Sequence, residues 1–418
     1  MEFVTGLRCV FCGAVYAGRR VRFLTCPQCG PGGILDVQYD YPALARKLTR
    51  RAMAARSERS HWRYRELLPV GEHSALPALT VGWTPLTPAP ALARHIGISK
   101  LLLKDDGRNA TGSLKDRASA IGVVKAREAR QTIVACASTG NAASSCAGMA
   151  ASMGLRSVIF VPERAPEPKV TQLLIFGATV LRVRGSYEQA FQLCQQSCRR
   201  WGWYNRNSGI NPYLVEGKKT VGLEIAEQMA WQPPHWVAVS VGDGCTVAGL
   251  WKAFRECREL GLIERTPRIL GVQAEGAAPI TQCFRSGEPP QPMEPRTLAD
   301  SIAVGVPRNW KKAVLAVRES RGSIIDVSDD EILDAMRYTG RLAGVFAEPA
   351  AATAVAGLRK AVAEGLIGHR ASAVAIVTGN GLKDTQSAKL AAGSPFDIAP
   401  DGMGLDEILQ ERGLAGQC

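Results

Sequence analysis

The chain has 418 residues, which is too long for a single compact core, so two or three domains are expected. Hydrophobic residues make up 46% and charged residues 21%, as in globular proteins, and no run of about 18 apolar residues predicts a membrane span. The formal charge of +13 is scattered along the chain, which disfavours specific nucleic-acid binding and leaves attraction of anionic small molecules open. The N-terminus lacks the pattern of a signal peptide, so a cytoplasmic protein is the default expectation.

The first 35 residues differ from the rest because they hold two CxxC pairs with 13 residues between them. A CxxC turn places two thiolates on one side of a tight loop, and two such knuckles complete a tetrahedral site. The spacing therefore predicts a structural Zn²⁺ bound by Cys9, Cys12, Cys26 and Cys29. A redox CxxC is the rival interpretation, but that motif normally opens a helix in a βαβ unit, and the sequence shows no such unit here. The other eight cysteines are interpreted as buried free thiols in a reducing compartment.

Residues 36–80 are predicted to begin with an amphipathic helix over residues 41–56, followed by a looser stretch. From Gly82 onward, apolar β-branched runs alternate with helical patterns, which is typical of parallel sheets covered on both faces. The six predicted strands are 132–138, 156–162, 178–183, 236–242, 268–275 and 372–379. The five helices predicted between and after them are 141–153, 188–200, 246–260, 329–343 and 349–365.

Ligands of such sheets bind beyond the carboxyl ends of the strands, and four loops there carry the informative residues. The first loop, residues 104–119, turns at Gly112 and Ser113 and then opens a helix, which puts Lys115 in the first helical turn. The helix dipole disfavours an extra cation there, and a lysine with a depressed pKa serves as a nucleophile or base. The alternative is a solvated surface lysine, the usual state of this residue type.

The second loop follows the first predicted strand and consists of Ser138, Thr139, Gly140 and Asn141. Hydroxyl groups and free backbone amides at a helix start form a site for a carboxylate. An ordinary helix cap at Ser138 or Asn141 explains the same residues without a ligand.

The third loop is rich in glycine and joins a strand to a helix. It consists of Gly242, Asp243, Gly244, Cys245 and Thr246. Glycines let backbone amides converge on a phosphate at a helix N-terminus, although the segment matches neither the Walker pattern nor GxGxxG. A tight turn without a ligand is the alternative. The fourth loop follows the last strand, where the Thr378 hydroxyl is expected either to point into a cleft above the sheet or to cap the next turn.

Together and in this order, the four loops resemble those of the fold-type-II, tryptophan synthase β-like enzymes that use pyridoxal 5′-phosphate (PLP), and most closely the threonine synthases. The resemblance covers nearly the whole chain. It includes the cysteine knuckles and the segments GWTPL (82–86), NPYLVEGKKT (211–220), ADSIAVGVPRN (299–309) and GVFAEPAAA (344–352).

The resemblance implies an α/β fold in which two doubly wound open parallel-sheet subdomains follow a zinc-ribbon-like module. The module is expected at residues 1–35 and the helical segment at 36–80. The catalytic domain is expected at 81–400, with a smaller mobile subdomain at about 110–205, and a C-terminal tail at 401–418.

The resemblance also implies a role for each loop. Lys115 corresponds to the family's Schiff-base lysine, which binds PLP and then acts as base and acid at substrate carbons. Asn141 corresponds to the asparagine at the phenolic oxygen of the cofactor, and residues 138–141 to the loop that holds the substrate carboxylate. Residues 242–246 correspond to the phosphate-binding loop, in which the Asp243 carboxylate must point away from phosphate.

Thr378 corresponds to the hydroxyl beside the pyridine nitrogen of the cofactor. A hydroxyl does not fix a proton on that nitrogen as a carboxylate does, so the resemblance implies elimination and replacement chemistry rather than transamination. In a threonine synthase, O-phospho-L-homoserine loses phosphate from Cγ, and water adds at Cβ to give L-threonine.

One departure from the family concerns the substrate phosphate. The family carries an arginine after the Asn-Pro-Tyr segment that helps to bind this phosphate, whereas Leu214 stands there in this sequence, and the preceding stretch is longer by one residue. A leucine cannot pair with phosphate. Either Arg108, Lys218 or Lys219 replaces the arginine, or the chain is a related β-elimination or β-replacement enzyme, such as a threonine or serine deaminase or a cysteate- or diaminopropionate-type synthase.

A third hypothesis is a non-enzymatic role, in which the cysteine knuckles bind nucleic acid beside a vestigial enzyme body. The presence of Lys115, Asn141 and Thr378 argues against it. We therefore expect a cytoplasmic enzyme that acts on a small amino-acid substrate, without nucleic-acid or membrane partners. The resemblance further implies a homodimer.

Overall fold

The computed structural model describes residues 1–18, 23–163, 165 and 167–414. The strands of this part of the chain are β1 (Val4–Cys9), β2 (Val15–Ala17), β3 (Leu35–Tyr39), β4 (Leu86–Pro88), β5 (Lys100–Asp105), β6 (Ile133–Ala137), β7 (Arg156–Pro162), β8 (Thr179–Val183), β9 (Tyr204–Asn205), β10 (Trp236–Ser240), β11 (Arg268–Ala274), β12 (Ser323–Val327) and β13 (Ser372–Val377). The helices are α1 (Tyr41–Lys47), α2 (Arg50–Ala54), α3 (Pro90–Ile96), α4 (Lys115–Glu128), α5 (Asn141–Ser152), α6 (Glu167–Ile175), α7 (Tyr187–Trp201), α8 (Tyr213–Gln228), α9 (Cys245–Glu259), α10 (Pro279–Ser286), α11 (Trp310–Glu319), α12 (Asp329–Ala343), α13 (Pro349–Ala363), α14 (Thr385–Ala392) and α15 (Leu405–Glu411).

The strands form three sheets. The N-terminal sheet is antiparallel with the order β2-β1-β3, and the largest sheet has the order β12-β11-β10-β13-β5-β4, parallel except for β4 at its edge. The third sheet is parallel with the order β8-β7-β6-β9. The predicted α/β fold, with two parallel sheets behind an N-terminal module, is therefore confirmed. Among the described residues, every helix is too short or too polar to be a membrane span.

Side chains of the central strand β10 alternate between the two faces of the largest sheet. Val237 and Val239 join an apolar cluster on one face, whereas Trp236 and Ala238 join the cluster on the other face. Successive side chains of a strand point to opposite faces, and here both faces are buried under helices. This double burial explains why the strand is a continuous apolar run rather than an alternating one.

All six predicted strands are present, but the prediction missed β4, β5 and β12 of the largest sheet. β5 lies between β13 and the edge strand β4 and pairs in parallel with β13, with Leu102 opposite Val374. Its sequence is KLLLKD, and Lys104 within it is fully buried. Charged residues are rarely buried without partners, so a lysine in a short apolar run weakens the strand signal.

The single helix predicted over residues 41–56 is two short helices, α1 and α2. Leu48 leaves the helical conformation, with φ −98° and ψ 84°. The side chain of Thr49 then accepts a hydrogen bond from the backbone nitrogen of Ala52 at 3.1 Å. A threonine at this position favours a new helix start because it satisfies a backbone donor that has no partner within the helix.

Buried ionic contacts fix the N-terminal sheet to the helices of the largest sheet. Asp36 of β3 pairs with Lys312 of α11 at 2.7 Å and with Lys252 of α9 at 3.2 Å. Burial alone would raise the pKa of Asp36, but these two ammonium groups hold it well below its ordinary value. The hydroxyl of Tyr39 donates to Glu216 of α8 at 2.9 Å. The N-terminal sheet is therefore joined to the helices of the largest sheet through charged groups as well as apolar packing.

Candidate active site

The four predicted loops meet at one cavity of about 120 Å³ between the two parallel sheets. The carboxyl ends of β6 and β10 both point into it, as expected for ligand sites of parallel sheets. The predicted residues that line the cavity are Lys115, Ser138, Gly242, Asp243, Gly244, Cys245, Thr246 and Thr378.

Lys115 is the first residue of α4 and is half-buried at the cavity wall. The backbone before it is tied to the fourth loop, because the nitrogen of Leu114 donates to the carbonyl oxygen of Thr378 at 2.9 Å. Within the described residues, the Lys115 amine has neither a hydrogen bond nor an ion pair. Burial, followed by the positive charge of Lys218, lowers its pKa to about 8, and Glu348 opposes both effects. The lowered pKa raises the fraction of neutral amine near neutral pH, and the neutral amine is the nucleophile.

The glycine loop ends at the start of α9, a helix of 15 residues. Gly244 has φ +91°, a left-handed conformation that favours glycine, and a β-carbon there would lie 2.9 Å from the carbonyl oxygen of Asn309. The amides that follow have no partners within the helix, so they form a binding site for an anion. The Asp243 carboxylate accepts a hydrogen bond from the backbone nitrogen of Arg308 at 2.6 Å, which holds it in place.

The second loop leads from the cavity wall toward the largest sheet. Ser138 lines the cavity, and its hydroxyl accepts from the Gly140 nitrogen at 3.1 Å. The amide nitrogen of Asn141 donates to Glu348 at 2.6 Å and to Ser301 at 3.3 Å. Its oxygen is buried without a partner among the described residues, as is typical of a group awaiting a ligand. Thr139 lies half-buried between Ser138 and Gly140.

Glu348 and Arg206 are site residues that the sequence prediction missed. Glu348 is buried directly before α13, and burial together with the nearby Asp300 raises its pKa to about 7. A glutamate inside the apolar segment GVFAEPAAA is a usable signal, because a carboxylate is rarely buried there without a function. Arg206 follows the two-residue strand β9, which has too little periodicity to be predicted.

The structure separates the three cations proposed to replace the family's phosphate-binding arginine. Arg108 is exposed, and Lys219 is engaged by Glu216 at 2.6 Å and Glu256 at 2.9 Å, so neither suits a ligand. Lys218 is buried and lines the cavity. Of the three, Lys218 is the one that lines the cavity in the described part of the chain, and which cation replaces the arginine stays a prediction.

The four N-terminal cysteines form a compact cluster whose thiol sulfur atoms lie within 4.8 Å of one another. The sulfur atoms of Cys9 and Cys29 are 3.8 Å apart, and those of Cys12 and Cys26 are 3.7 Å apart. Zn–S bonds of about 2.3 Å in a tetrahedron place the sulfur atoms about 3.8 Å apart. The donor set and its spacing thus fit a structural zinc ion.

The cavity residues likewise fit PLP. They provide an unpaired amine for its aldehyde, an amide cradle for its phosphate and the Thr378 hydroxyl, which lies 3.4 Å from the hydroxyl of Ser240. An anionic cofactor with an electrophilic carbon complements these groups.

Comparison with known proteins points in the same direction. The model of the pyridoxal-phosphate dependent enzyme family matches residues 78–379. The threonine synthase of Methanocaldococcus jannaschii is 38% identical over 407 residues, which are 97% of this chain and 99% of that protein. The threonine synthase of Methanosarcina acetivorans is 41% identical over 384 residues, which are 91% of this chain and 93% of that protein.

Solved structures share the fold at lower identity. Threonine deaminase isoform 2 of Solanum lycopersicum, in its processed form, superposes with a TM-score of 0.63 at 22% identity, covering 74% of this chain and 88% of that one. Diaminopropionate ammonia lyase of Escherichia coli superposes with a TM-score of 0.65 at 19% identity, covering 74% of this chain and 87% of that one. The chain therefore belongs to the pyridoxal-phosphate-dependent enzymes and, within them, to the threonine synthase family.

Proposed function

We propose that this chain is a PLP-dependent threonine synthase, which converts O-phospho-L-homoserine and water to L-threonine and phosphate. One observation carries the proposal: Lys115, whose amine has no partner among the described residues, lines a single cavity together with the glycine loop 242–246 and Thr378. The identity of 38% to a threonine synthase over 97% of this chain supports the choice of reaction.

Lys115 has two tasks in this proposal. Its amine would hold the cofactor through the aldehyde carbon, and the same amine, once free, would take and return protons at the substrate carbons. Its pKa, lowered to about 8, lets the same amine take and return protons near neutral pH. PLP, when bound, supplies the electron sink that makes these carbon-bound protons acidic.

Thr378 sets the type of reaction. Its hydroxyl and that of Ser240, 3.4 Å apart, present weak hydrogen-bonding groups rather than a carboxylate at this end of the cavity. Such an environment leaves the ring nitrogen without a fixed proton and favours elimination and replacement over transamination. Loss of phosphate followed by addition of water belongs to that class.

The loop 138–141 holds the substrate carboxylate in this proposal. Its last residue, Asn141, begins α5, a helix of 12 residues whose free N-terminal amides favour an anion. The Ser138 hydroxyl at the cavity wall adds a donor. A carboxylate fixed there orients Cα toward the Lys115 amine.

Four cysteine thiolates leave no open coordination position, so we propose that the N-terminal cluster holds one Zn²⁺ for structure and not for catalysis. The cluster does not overlap the residues that line the cavity in the described part of the chain. The homodimer and the cytoplasmic location stay predictions.

A second candidate is β-elimination from serine or threonine, with release of ammonia and a 2-oxoacid. Leu214 favours it, because this buried apolar side chain stands where the family binds the substrate phosphate. Both candidates use the same cofactor and the same lysine, so only the donor distinguishes them.

The deciding experiment supplies purified holoenzyme with O-phospho-L-homoserine and measures phosphate and threonine. We expect the two products in equal amounts, because each elimination is followed by one addition of water. No threonine from this donor, together with 2-oxoacid from L-serine or L-threonine, would replace the proposal by the second candidate.

A further inference from the structure

Another arginine, Arg206, lies close to Leu214. A β-carbon placed on Gly122 of α4 would lie 3.0 Å from Cδ2 of Leu214 and 3.6 Å from Cγ of Arg206. The stem of Arg206 therefore packs beside Leu214 against the same point of α4. A guanidinium group reaches this region from the loop after β9 instead of from α8.

Arg206 is only 1% exposed, and two serines position its guanidinium group at the cavity. Its Nε donates to the hydroxyl of Ser119 at 2.9 Å, and its Nη1 donates to that of Ser208 at 3.1 Å. Its Nη2 is buried without a hydrogen-bond partner in the described residues. A buried donor without a partner costs folding free energy, which a ligand acceptor would offset.

Lys218 is the second cation of this region. It lies one helical turn after Leu214 on α8, so both side chains are on the same face of the helix. It is 3% exposed and lines the cavity, and the described residues give its amine neither a hydrogen bond nor an ion pair. Burial lowers its pKa, Arg206 lowers it further, and the nearby Cys245 and Asp243 oppose this shift.

The charges that line the cavity do not balance. Arg308 is paired with Glu188 at 2.6 Å. The Asp243 carboxylate, which accepts from the neutral backbone nitrogen of Arg308, leaves one negative charge against the three cations Lys115, Arg206 and Lys218. Lys115 is assigned to the cofactor aldehyde. Arg206 and Lys218 remain, and the cofactor phosphate has the amides of the glycine loop for its own binding. Two unpaired cations suit a second dianion.

We propose that Arg206 and Lys218 together bind the phosphate group of the substrate, at the place where Leu214 cannot do so. This inference rests on the proposed function and names its specificity site. Both the substrate and the cofactor carry a phosphate monoester, and the assignment here is to the substrate.

The test compares Lys218→Met and Arg206→Lys with the wild-type holoenzyme. Methionine keeps the length of the lysine side chain without its charge, and lysine at position 206 keeps a charge without the planar fork of donors. Arg108→Met removes an exposed charge and is the matched control. KM for O-phospho-L-homoserine and inhibition by inorganic phosphate are measured for each, together with cofactor affinity by absorbance titration of the apoenzyme.

We expect KM and the inhibition constant of phosphate to rise about tenfold or more in both variants, since each loses a charge-assisted contact. Cofactor affinity should change less than about twofold, because the glycine loop is intact. Weaker cofactor binding with an unchanged KM would assign the two cations to the cofactor phosphate and overturn the inference. An unchanged KM and unchanged phosphate inhibition would overturn it as well.

Inhibition of cofactor-loaded enzyme by inorganic phosphate separates this inference from the proposed function. If the wild type forms threonine but both variants keep their KM, the inference fails and the function stands. If the wild type forms no threonine, phosphate binding is read directly by calorimetry. If phosphate binding is then lost in Lys218→Met and kept in Arg108→Met, the dianion site is supported although the proposed function fails. If Lys218→Met binds phosphate as well as Arg108→Met does, the dianion site is overturned.

Discussion

Two kinds of buried cation lie side by side on the helices around the cavity. Arg117 of α4 is fully buried, and its guanidinium group meets Asp106 at 2.6 Å and Glu224 at 2.8 Å. Glu224 also forms an ion pair with the ammonium group of Lys104 at 2.7 Å. Lys115, two residues before Arg117 on the same helix, has no such partner within the described structure.

The same contrast recurs on α8 between adjacent residues. Lys219 meets Glu216 at 2.6 Å and Glu256 at 2.9 Å, and all three side chains are fully buried. Lys218 faces the cavity without a counterion among the described residues. Removing a charge from water is costly, so a fold completes its own ion pairs where it can. Buried cations without a protein counterion therefore indicate where anionic ligands bind. The following predictions test this distinction between paired and unpaired cations.

The largest effect is expected from Lys115→Ala. Activity should fall about 10³–10⁴-fold, because the base and the anchor of the cofactor are lost together. The visible absorbance of bound cofactor should disappear. The apoenzyme should unfold at the same urea concentration as wild-type apoenzyme, since the Lys115 amine makes neither a hydrogen bond nor an ion pair with the described residues. A large loss of stability would show that this lysine belongs to the paired class.

Arg117→Met should instead break the fold. It leaves Asp106 and Glu224 buried beside too little positive charge, which costs about 3–5 kcal/mol of unfolding free energy. Urea unfolding of the apoenzyme measures this loss. If the soluble variant matched the wild type in stability, the paired cluster would not have the structural role that its contacts indicate.

The adjacent lysines give a matched pair. Lys219→Met should lower the unfolding free energy by about 2–4 kcal/mol, less than Arg117→Met, because Lys252 still faces Glu216 at 2.7 Å. Lys218→Met should lose less than about 0.5 kcal/mol or gain stability, since it removes a buried charge without a partner. Equal losses from both substitutions would contradict the distinction.

The smallest effect is a change in pH dependence. The pKa of Lys115 is lowered to about 8, so its neutral form grows tenfold per pH unit below that value and saturates above it. The rate at which apoenzyme captures PLP should follow this curve when measured between about pH 6 and pH 10. In Lys218→Met the inflection should move to higher pH, because a positive charge that lowers the Lys115 pKa is gone. An inflection near 10.5, the ordinary lysine value, would contradict the burial of this amine.

The sequence predicted the parts of the site that follow a local rule. The position of Lys115 at a helix start and that of the glycine loop after a strand are set by neighbouring residues in the sequence. Both lie where the sequence pattern predicted them. Arg206 escaped prediction because its orientation depends on Ser119, 87 positions away. Lys219 was expected as a possible phosphate ligand because the sequence does not show that Glu256, from another helix, forms an ion pair with it.

The fold shows the same division. The apolar runs predicted six strands, whereas β5 was hidden by Lys104, whose partners Glu224 and Gln228 lie on a distant helix. The chain alone does not show that a lysine has a buried counterion. Tertiary ion pairs, rather than local propensity, account for these errors.

The attachment of the N-terminal sheet has a consequence for how this enzyme is divided into parts. The family model begins at residue 78, after Asp36 and Tyr39. A chain shortened to that boundary would keep every residue of the cavity wall, yet Lys252 and Lys312 would lose the carboxylate between them. The leading segment is therefore not an interchangeable cassette. An exchange of this segment between relatives must therefore keep a carboxylate at the position of Asp36, or provide one on α9 or α11.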